Sequence, residues 1–256
     1  MPHPILRLSD VSLSFKGIKA INAVSFSVAR GEICALIGPN GAGKSSLLNI
    51  LNGVYRADSG TVTFEGEPFA RIRSLVAARR GIGRTFQHGA LFGKLSVLDN
   101  VLAGLTRHSR TTLAEHAFGI FRDRGQTREF RKRADDTLAF LELTAHREKI
   151  VATLPYGLQK RVDFARALVG RPKLLLLDEP MAGMNRDEKQ AMSRFIAEAR
   201  RTLGTTIVLI EHDIGVVMDL SDHVVVLDYG RKVGDGPPDA VRNDPAVIAA
   251  YLGTRH

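Results

Sequence analysis

Eight residues, Gly38-Pro39-Asn40-Gly41-Ala42-Gly43-Lys44-Ser45, constrain the fold of this chain more than any other stretch. They follow an uninterrupted apolar run, Ile33 to Ile37, that reads as a buried strand, and they lead into a predicted helix from about Lys44 to Leu51. The pattern G-x-x-x-x-G-K-[ST] at a strand-to-helix turn is a phosphate-binding loop. Its glycines let successive backbone N–H groups converge on phosphate oxygens with no Cβ in the way, and the helix N-terminus adds the positive end of a dipole. Gly38 to Gly43, together with Ser46, are expected to line a nucleoside triphosphate. Lys44 should reach the β- and γ-phosphates, and the Ser45 hydroxyl should face Mg²⁺.

A second apolar run, Leu174 to Leu177, ends in Asp178-Glu179-Pro180. A buried strand of this kind delivers Asp178 at the carboxyl edge of a sheet, beside the phosphate loop, where it can hold Mg²⁺ directly or through water. Glu179, one residue on, can face the γ-phosphate and polarise an attacking water as general base. Two further polar residues are candidates: Gln87, after Arg84-Thr85-Phe86, and His212, after a predicted strand Thr206 to Ile210 and Glu211. Alone, a Gln or a His is more often structural than catalytic; their place in the order of motifs is what singles them out.

The surroundings of these motifs follow an α/β rhythm. The first thirty residues alternate, with Leu6 and Leu8, then Val11, Leu13 and Phe15, then Val24, Phe26 and Val28, which reads as antiparallel strands turning at Lys16-Gly17. Thr61 to Phe64 reads as another strand. From about residue 90 to 157 the period becomes helical, with Phe130, Ala134, Leu138 and Leu141 on one face. Within it the stretch Arg107 to Arg133 is charged, carries Gly119 and Gly125, and is expected to be variable and mobile. Strands Leu174 to Leu177, Thr206 to Ile210 and Val224 to Leu227 then alternate with a helix Asp187 to Leu203 whose buried stripe is Met192, Phe195, Ile196, Ala199 and Leu203. Such alternation predicts a largely parallel sheet.

Composition narrows the function classes. At 256 residues and 44% hydrophobic, the chain can bury one substantial core with a lobe attached. No apolar run approaches the roughly 20 residues that span a bilayer, and Met1-Pro2-His3-Pro4 does not open a secretory signal. The single cysteine, Cys34, falls inside a buried strand and reads as a core residue, not a nucleophile. The net charge of +9 gathers at Arg71, Arg73, Arg79, Arg80 and Arg84 and again from Arg122 to Arg133. Neither cluster is interleaved with aromatics, so both read as solvated basic surface and no nucleic acid is expected as a partner.

The order of phosphate loop, Gln87, Leu154-Pro155-Tyr156-Gly157-Leu158-Gln159, Leu176-Leu177-Asp178-Glu179-Pro180 and Glu211-His212-Asp213 resembles that of the ATPases of ABC transporters across essentially the whole chain. The resemblance implies an α/β fold with a P-loop NTPase (RecA-like) core and mostly parallel sheet, an N-terminal antiparallel β subdomain and an inserted α-helical subdomain. It implies one ABC ATPase domain over 1–256, with core at approximately 1–90 and 160–235, helical subdomain at 91–159 and a C-terminal helical tail at 236–256. It implies ATP and Mg²⁺ as ligands, held at Ser45, Gln87 and Asp178 for the metal, with Phe15 stacking on adenine. Glu179, His212 and Gln87 become the catalytic set, His212 bracing the γ-phosphate and water and Gln87 relaying closure. Two such subunits sandwich two ATP molecules, so Tyr156 and Gly157, opening a helix that runs to about Leu168, would cap the ATP of the other subunit, and Met181 to Asn185 would cross the interface.

Two positions depart from the family pattern: Pro155 stands where a Ser is usual, and Asn185 where many relatives have Asp. Arg84-Thr85-Phe86-Gln87, Ala182-Gly183-Met184-Asn185, Gly215-Val216-Val217-Met218 and the tail to Ala250-Tyr251-Leu252-Gly253 resemble the larger ATPase subunit of branched-chain amino acid importers. The implied partners are two integral-membrane permeases, a second ATPase subunit and, indirectly, a solute-binding protein. The implied location is peripheral, on the cytoplasmic face of the inner membrane. Importers of urea or short-chain amides and the lipopolysaccharide exporter stay open as alternatives, as does, more remotely, a soluble ABC ATPase.

Overall fold

The computed structural model describes residues 4–68, 74–85, 91–106 and 124–252. Gln87 and the part of the charged stretch at 107–123 lie outside them. The chain opens with a hairpin, β1 (Leu6–Phe15) and β2 (Ile18–Val28). Its turn residues Lys16 and Gly17 both have positive φ, 48° and 86°, the backbone of a two-residue primed turn whose twist matches the strands it joins. The break in alternation between Leu8 and Val11 is a bulge. Asp10, at φ 52°, absorbs the extra residue, so that Leu6, Leu8, Val11 and Leu13 all stay buried.

The chain then enters a second sheet as β3 (Ile33–Ile37), passes through α1 (Lys44–Leu51), and returns to the first as β4 (Ser59–Phe64) and β5 (Glu67–Pro68). The first sheet runs β2-β1-β4-β5, antiparallel throughout. After α2 (Ser74–Arg80), β6 (Ile82–Arg84) joins the second sheet. Helices α3 (Val97–Ala103), α4 (Arg124–Phe140) and α5 (Tyr156–Leu168) intervene before β7 (Leu174–Asp178), α6 (Arg186–Leu203) and β8 (Thr206–Ile210). The chain ends with α7 (Ile214–Leu220), β9 (His223–Asp228), β10 (Arg231–Gly236), α8 (Pro238–Arg242) and α9 (Pro245–Leu252). The second sheet runs β10-β9-β3-β8-β7-β6, parallel except for β10 at its edge.

The parallel strands are buried on both faces, which is why they read as continuous apolar runs. Cys34, Leu36, Leu174, Leu176, Val208 and Ile210 point into a core shared with the antiparallel sheet and α1. Leu175, Leu177, Ile207 and Leu209 point the other way, toward α3 to α6. Ala35, Ile37, Val224 and Val226 pack under α7 to α9. The stripe on α4 (Phe130, Ala134, Leu138) and the following Leu141 is buried as its period predicts. On α6, Met192, Phe195, Ile196 and Ala199 are buried, but Leu203 is 41% exposed, because the helix ends there and Gly204 turns the chain away. Five elements have no counterpart in the sequence expectations. β5 is only two residues, β6 is an Ile-Gly-Arg triplet, β10 is a polar edge strand, and α2 and α7 have one buried residue each, Ala77 and Val217, so none carries a clear hydrophobic period. Among the described residues no helix is long and apolar enough to cross a membrane.

One polar cluster ties the edge of this sheet together. His223 lies between two carboxylates, Nδ1 3.1 Å from Glu32 Oε1 and Nε2 2.6 Å from Asp235 Oδ1, beside the buried Cys34 sulfur. Only the imidazolium donates from both nitrogens, and His223 is pushed up to about 11 by Cys34, Glu32 and Asp235 around it. Because the folded value lies above the ordinary imidazole value of about 6.5, this stabilisation is complete below that pH and is lost as pH rises through the folded value. Thermal unfolding of His223→Gln should therefore show its largest deficit against the parent chain at pH 6, shrinking toward pH 11; a deficit that grows with pH would contradict the assignment.

Candidate active site

The strand, loop and helix around residues 38–45 form as the glycine spacing requires. Gly38 has φ 146°, and a Cβ there would lie 2.0 Å from the Leu227 carbonyl oxygen; at Gly43, φ 100°, it would lie 2.4 Å from that of Ala20. Only glycine lets the loop approach its neighbours this closely. Lys44, at the first position of α1, is 6% exposed, and its Nζ donates to the carbonyls of Gly38 at 2.7 Å and Pro39 at 2.9 Å. Burial pushes the ammonium below its ordinary value, and Glu179 and Asp178 oppose that shift. The lysine thus lies folded over the loop, its ammonium turned inward onto the loop carbonyls.

The acidic pair is set by the end of β7. Asp178 pairs with Ile210 in the sheet and is 2% exposed. Its Oδ2 accepts from Arg84 Nη2 at 2.9 Å, whereas its Oδ1 is buried with no hydrogen-bond partner. Glu179 then adopts φ 50°, in the left-handed region, which for a residue with a Cβ costs about 1–3 kcal/mol. Three hydrogen bonds to its backbone hold it there: its N–H donates to Ile210 O at 3.0 Å, and its carbonyl accepts from the Ala182 N–H and from Lys160 Nζ, each at 3.3 Å. The twist sends the Glu179 carboxylate out of the sheet, where Oε1 lies 2.8 Å from His212 Nε2.

Glu211 fixes the relation between these two side chains. Buried at 5% exposure, it accepts from the Met181 N–H at 2.9 Å and from the His212 N–H at 3.2 Å, stapling the segment after Glu179 to the segment carrying His212. Burial pushes its carboxyl above the usual range, and the two N–H donors pull it back. The sequence reading passed over both Glu211 and Arg84. An acid directly after the buried strand Thr206–Ile210 was the available signal for the first; Arg84 was hidden among the arginines around it.

A cleft of about 280 Å³ brings together Asn40, Gly41, Ala42, Gly43, Lys44, Ser45, Ser46, Glu179 and His212. Gly38 and Pro39 do not line it and are tied to it by their carbonyls, which accept from Lys44 Nζ. Phe15, at the end of β1, is 41% exposed and meets Tyr55 edge-on with ring centroids 5.1 Å apart. Phe15, Tyr156 and Gly157 do not line the cleft. Tyr156 and Gly157 open α5, whose N-cap Pro155 supplies no side-chain bond, and a Cβ at Gly157 would lie 2.1 Å from Glu188 Oε1. Asn185 caps α6 reciprocally with Glu188, so the departure from Asp keeps a full capping box. Among the described residues no group of three or more His, Cys, Asp or Glu could hold a metal on its own. Asp178 does not line the cleft that Ser45 and Glu179 line; its orphaned Oδ1 is a hard oxygen donor of the type that suits a divalent cation.

The sequence profile of the ABC transporter family matches residues 21–182. This chain belongs to the ABC transporter family, as an ATP-binding cassette. A second profile, that of the branched-chain amino acid ATP-binding cassette transporter, matches residues 231–256. The cassette is 38% identical over 253 residues to the high-affinity branched-chain amino acid transport ATP-binding protein BraF of Pseudomonas aeruginosa, covering 99% of each chain. It is 37% identical over 260 residues to LivG of Escherichia coli K12, again covering 99% of each. In structure it matches a nucleotide-free ATP-binding cassette from an ABC transporter with TM-score 0.86 at 30% identity, over 97% of this chain and 99% of the other. A cassette in its ADP conformation matches equally, with TM-score 0.86 over 98% and 99%. The α/β fold with a P-loop NTPase core and mostly parallel sheet is thereby established.

Removing the Lys44 ammonium should cost the charge-assisted contacts that a nucleotide's phosphates would make. Lys44→Ala is expected to weaken ATP binding about ten- to a hundredfold and to abolish measurable hydrolysis. Equilibrium binding of a fluorescent ATP analogue checks this, and unaltered affinity would overturn the phosphate role of the loop.

Proposed function

We propose that this cassette hydrolyses ATP to energise uptake of branched-chain amino acids, bound peripherally to the cytoplasmic face of the inner membrane. The chemistry rests on one observation, the convergence of the phosphate loop, Glu179 and His212 on a single cleft. Support for the cargo comes from the names of the BraF and LivG relatives and from the profile match at 231–256.

ATP would seat its phosphates on the backbone N–H groups of residues 38–46, with Lys44 exchanging the Gly38 and Pro39 carbonyls for β- and γ-phosphate oxygens. Asp178 and the Ser45 hydroxyl, joined by Gln87, would hold Mg²⁺, whose charge offsets that of the transferring phosphoryl group. Glu179 accepts the proton of a water as its oxygen attacks the γ-phosphorus. The bond from that phosphorus to the β–γ bridging oxygen breaks, leaving ADP and phosphate. His212, already in contact with Glu179, orients the carboxylate and braces the water.

The second ATP-facing surface would come from another cassette. Tyr156 and Gly157 stand at the N-terminus of α5, outside the cleft of their own chain, which suits them to cap a γ-phosphate held by a partner cassette, identical or companion. Phe15, exposed beside Tyr55, offers a face on which adenine can stack. A docking surface for the two permeases is supported by Phe92, Leu95 and Ile150, each more than 40% exposed. The buried Asn100 side chain holds the backbone of Phe92 and Ser96, so Phe92 and Leu95 are presented from a fixed loop next in sequence to residues 86–90, with Ile150 bridged to Ser96 beside them. A solute-binding protein would act only through the permeases.

Glu179→Gln removes the base while keeping the shape of the side chain. Hydrolysis should fall about 10²- to 10⁴-fold while ATP binding persists, and the variant should accumulate as closed pairs with ATP. Purified from membranes in that state, it should bring down two polytopic permeases and a second ATPase. Wild-type turnover would sink the catalytic assignment; retention of lipid-export proteins in place of those permeases would redirect the transport assignment alone.

A further inference from the structure

Arg84 lies among arginines that read as solvated surface, yet its side chain is 8% exposed and packs behind the active site. One terminal nitrogen, Nη2, donates to Asp178 Oδ2 at 2.9 Å; the other, Nη1, donates to Asn49 Oδ1 at 2.5 Å. Asn49 stands on α1 four residues after Ser45, hence one turn along the same helix face. The guanidinium therefore bridges the two elements that carry Asp178 and Ser45. Its own strand, β6, leads within three residues to Gln87. The next residue reinforces the joint: the Asp178 N–H donates to Thr85 Oγ1 at 3.3 Å, and the Thr85 N–H to Leu176 O at 3.0 Å.

We propose that Arg84 is the positioning residue of the metal site, holding Asp178 by one oxygen so that the other is aimed at the cation, and fixing the spacing of Asp178 from the helix that bears Ser45. The proposal rests on the reading that Asp178 and Ser45 hold Mg²⁺. A carboxylate buried as deeply as Asp178 needs a permanent counter-charge when no cation is bound, and arginine is charged at every relevant pH. It also has to leave the metal-facing oxygen alone. Arg84 does both, since Asp178 Oδ1 accepts no hydrogen bond while Oδ2 is taken. A lysine would carry the charge but could not span Asp178 and Asn49 with a planar fork. Groups that orient a metal ligand from behind typically change metal affinity about 10- to 100-fold when removed.

The test separates metal affinity from nucleotide affinity in the full chain. Binding of a fluorescent ATP analogue is titrated first in EDTA and then against Mg²⁺, for the parent chain, Arg84→Gln and Arg84→Lys. Arg84→Gln should bind the analogue in EDTA within about twofold of the parent, yet need about 10- to 100-fold more Mg²⁺ for half-maximal enhancement; Arg84→Lys should fall between. An unshifted Mg²⁺ requirement in Arg84→Gln overturns the proposal. Should that variant fail to fold, an unshifted Arg84→Lys overturns it equally, because charge alone would then suffice. A parent chain whose nucleotide binding ignores Mg²⁺, and likewise an Asp178→Asn variant that responds as the parent does, would instead refute the underlying metal reading.

Discussion

The active site depends on how β7 ends. Asp178 completes the ladder with β8, and the Glu179 N–H extends it by one more bond to Ile210 O, but with φ at 50° the chain turns sharply between the two carboxylates. Two adjacent acids in a straight strand would point to opposite faces of the sheet. Here the first stays buried against Arg84, and the second is thrown into the cleft against His212. The conformational strain is local, about 1–3 kcal/mol, and is sustained by the Ile210 bond, the Lys160 contact and the Glu211 staple.

Around that turn, the sheet order does the rest. β3 lies next to β8, and β8 next to β7, so the loop after β3, His212 after β8 and the acidic pair after β7 all emerge at one carboxyl edge. Ligands of open α/β sheets bind at such edges. α1 begins there, and Lys44 and Ser45 occupy its first turn, where backbone N–H groups have no partners of their own within the helix. The antiparallel sheet packs against the other side of α1 and anchors the loop, as the close approach of Gly43 to the Ala20 carbonyl records.

Much of this was legible in the sequence. The phosphate loop, Asp178 and Glu179 are carried by short motifs with fixed spacing, and the parallel strands are apolar on both faces, so both were readable from neighbouring residues alone, whereas His212 stood out only by its place in the order of motifs. What escaped depends on contacts between distant segments. Arg84 and Asp178 are 94 residues apart and Glu211 reaches Met181 across 30, and neither pairing leaves a local period. The same holds for β6 and β10, which are strands because a neighbour pairs with them, not because of their own composition. Leu203 failed in the opposite sense: the period was right, but the helix outlasted the core.

The division of labour at the end of β7 is the central claim, and a crystal structure with MgADP and orthovanadate tests it directly. The quantity to read is the distance from the Glu179 carboxylate to the apical vanadate oxygen, which stands where the attacking water would be. The account predicts about 2.6–3.2 Å, with Asp178 turned to the metal side and still held by Arg84. An apical oxygen out of reach of Glu179, or approached by Asp178 instead, would contradict it.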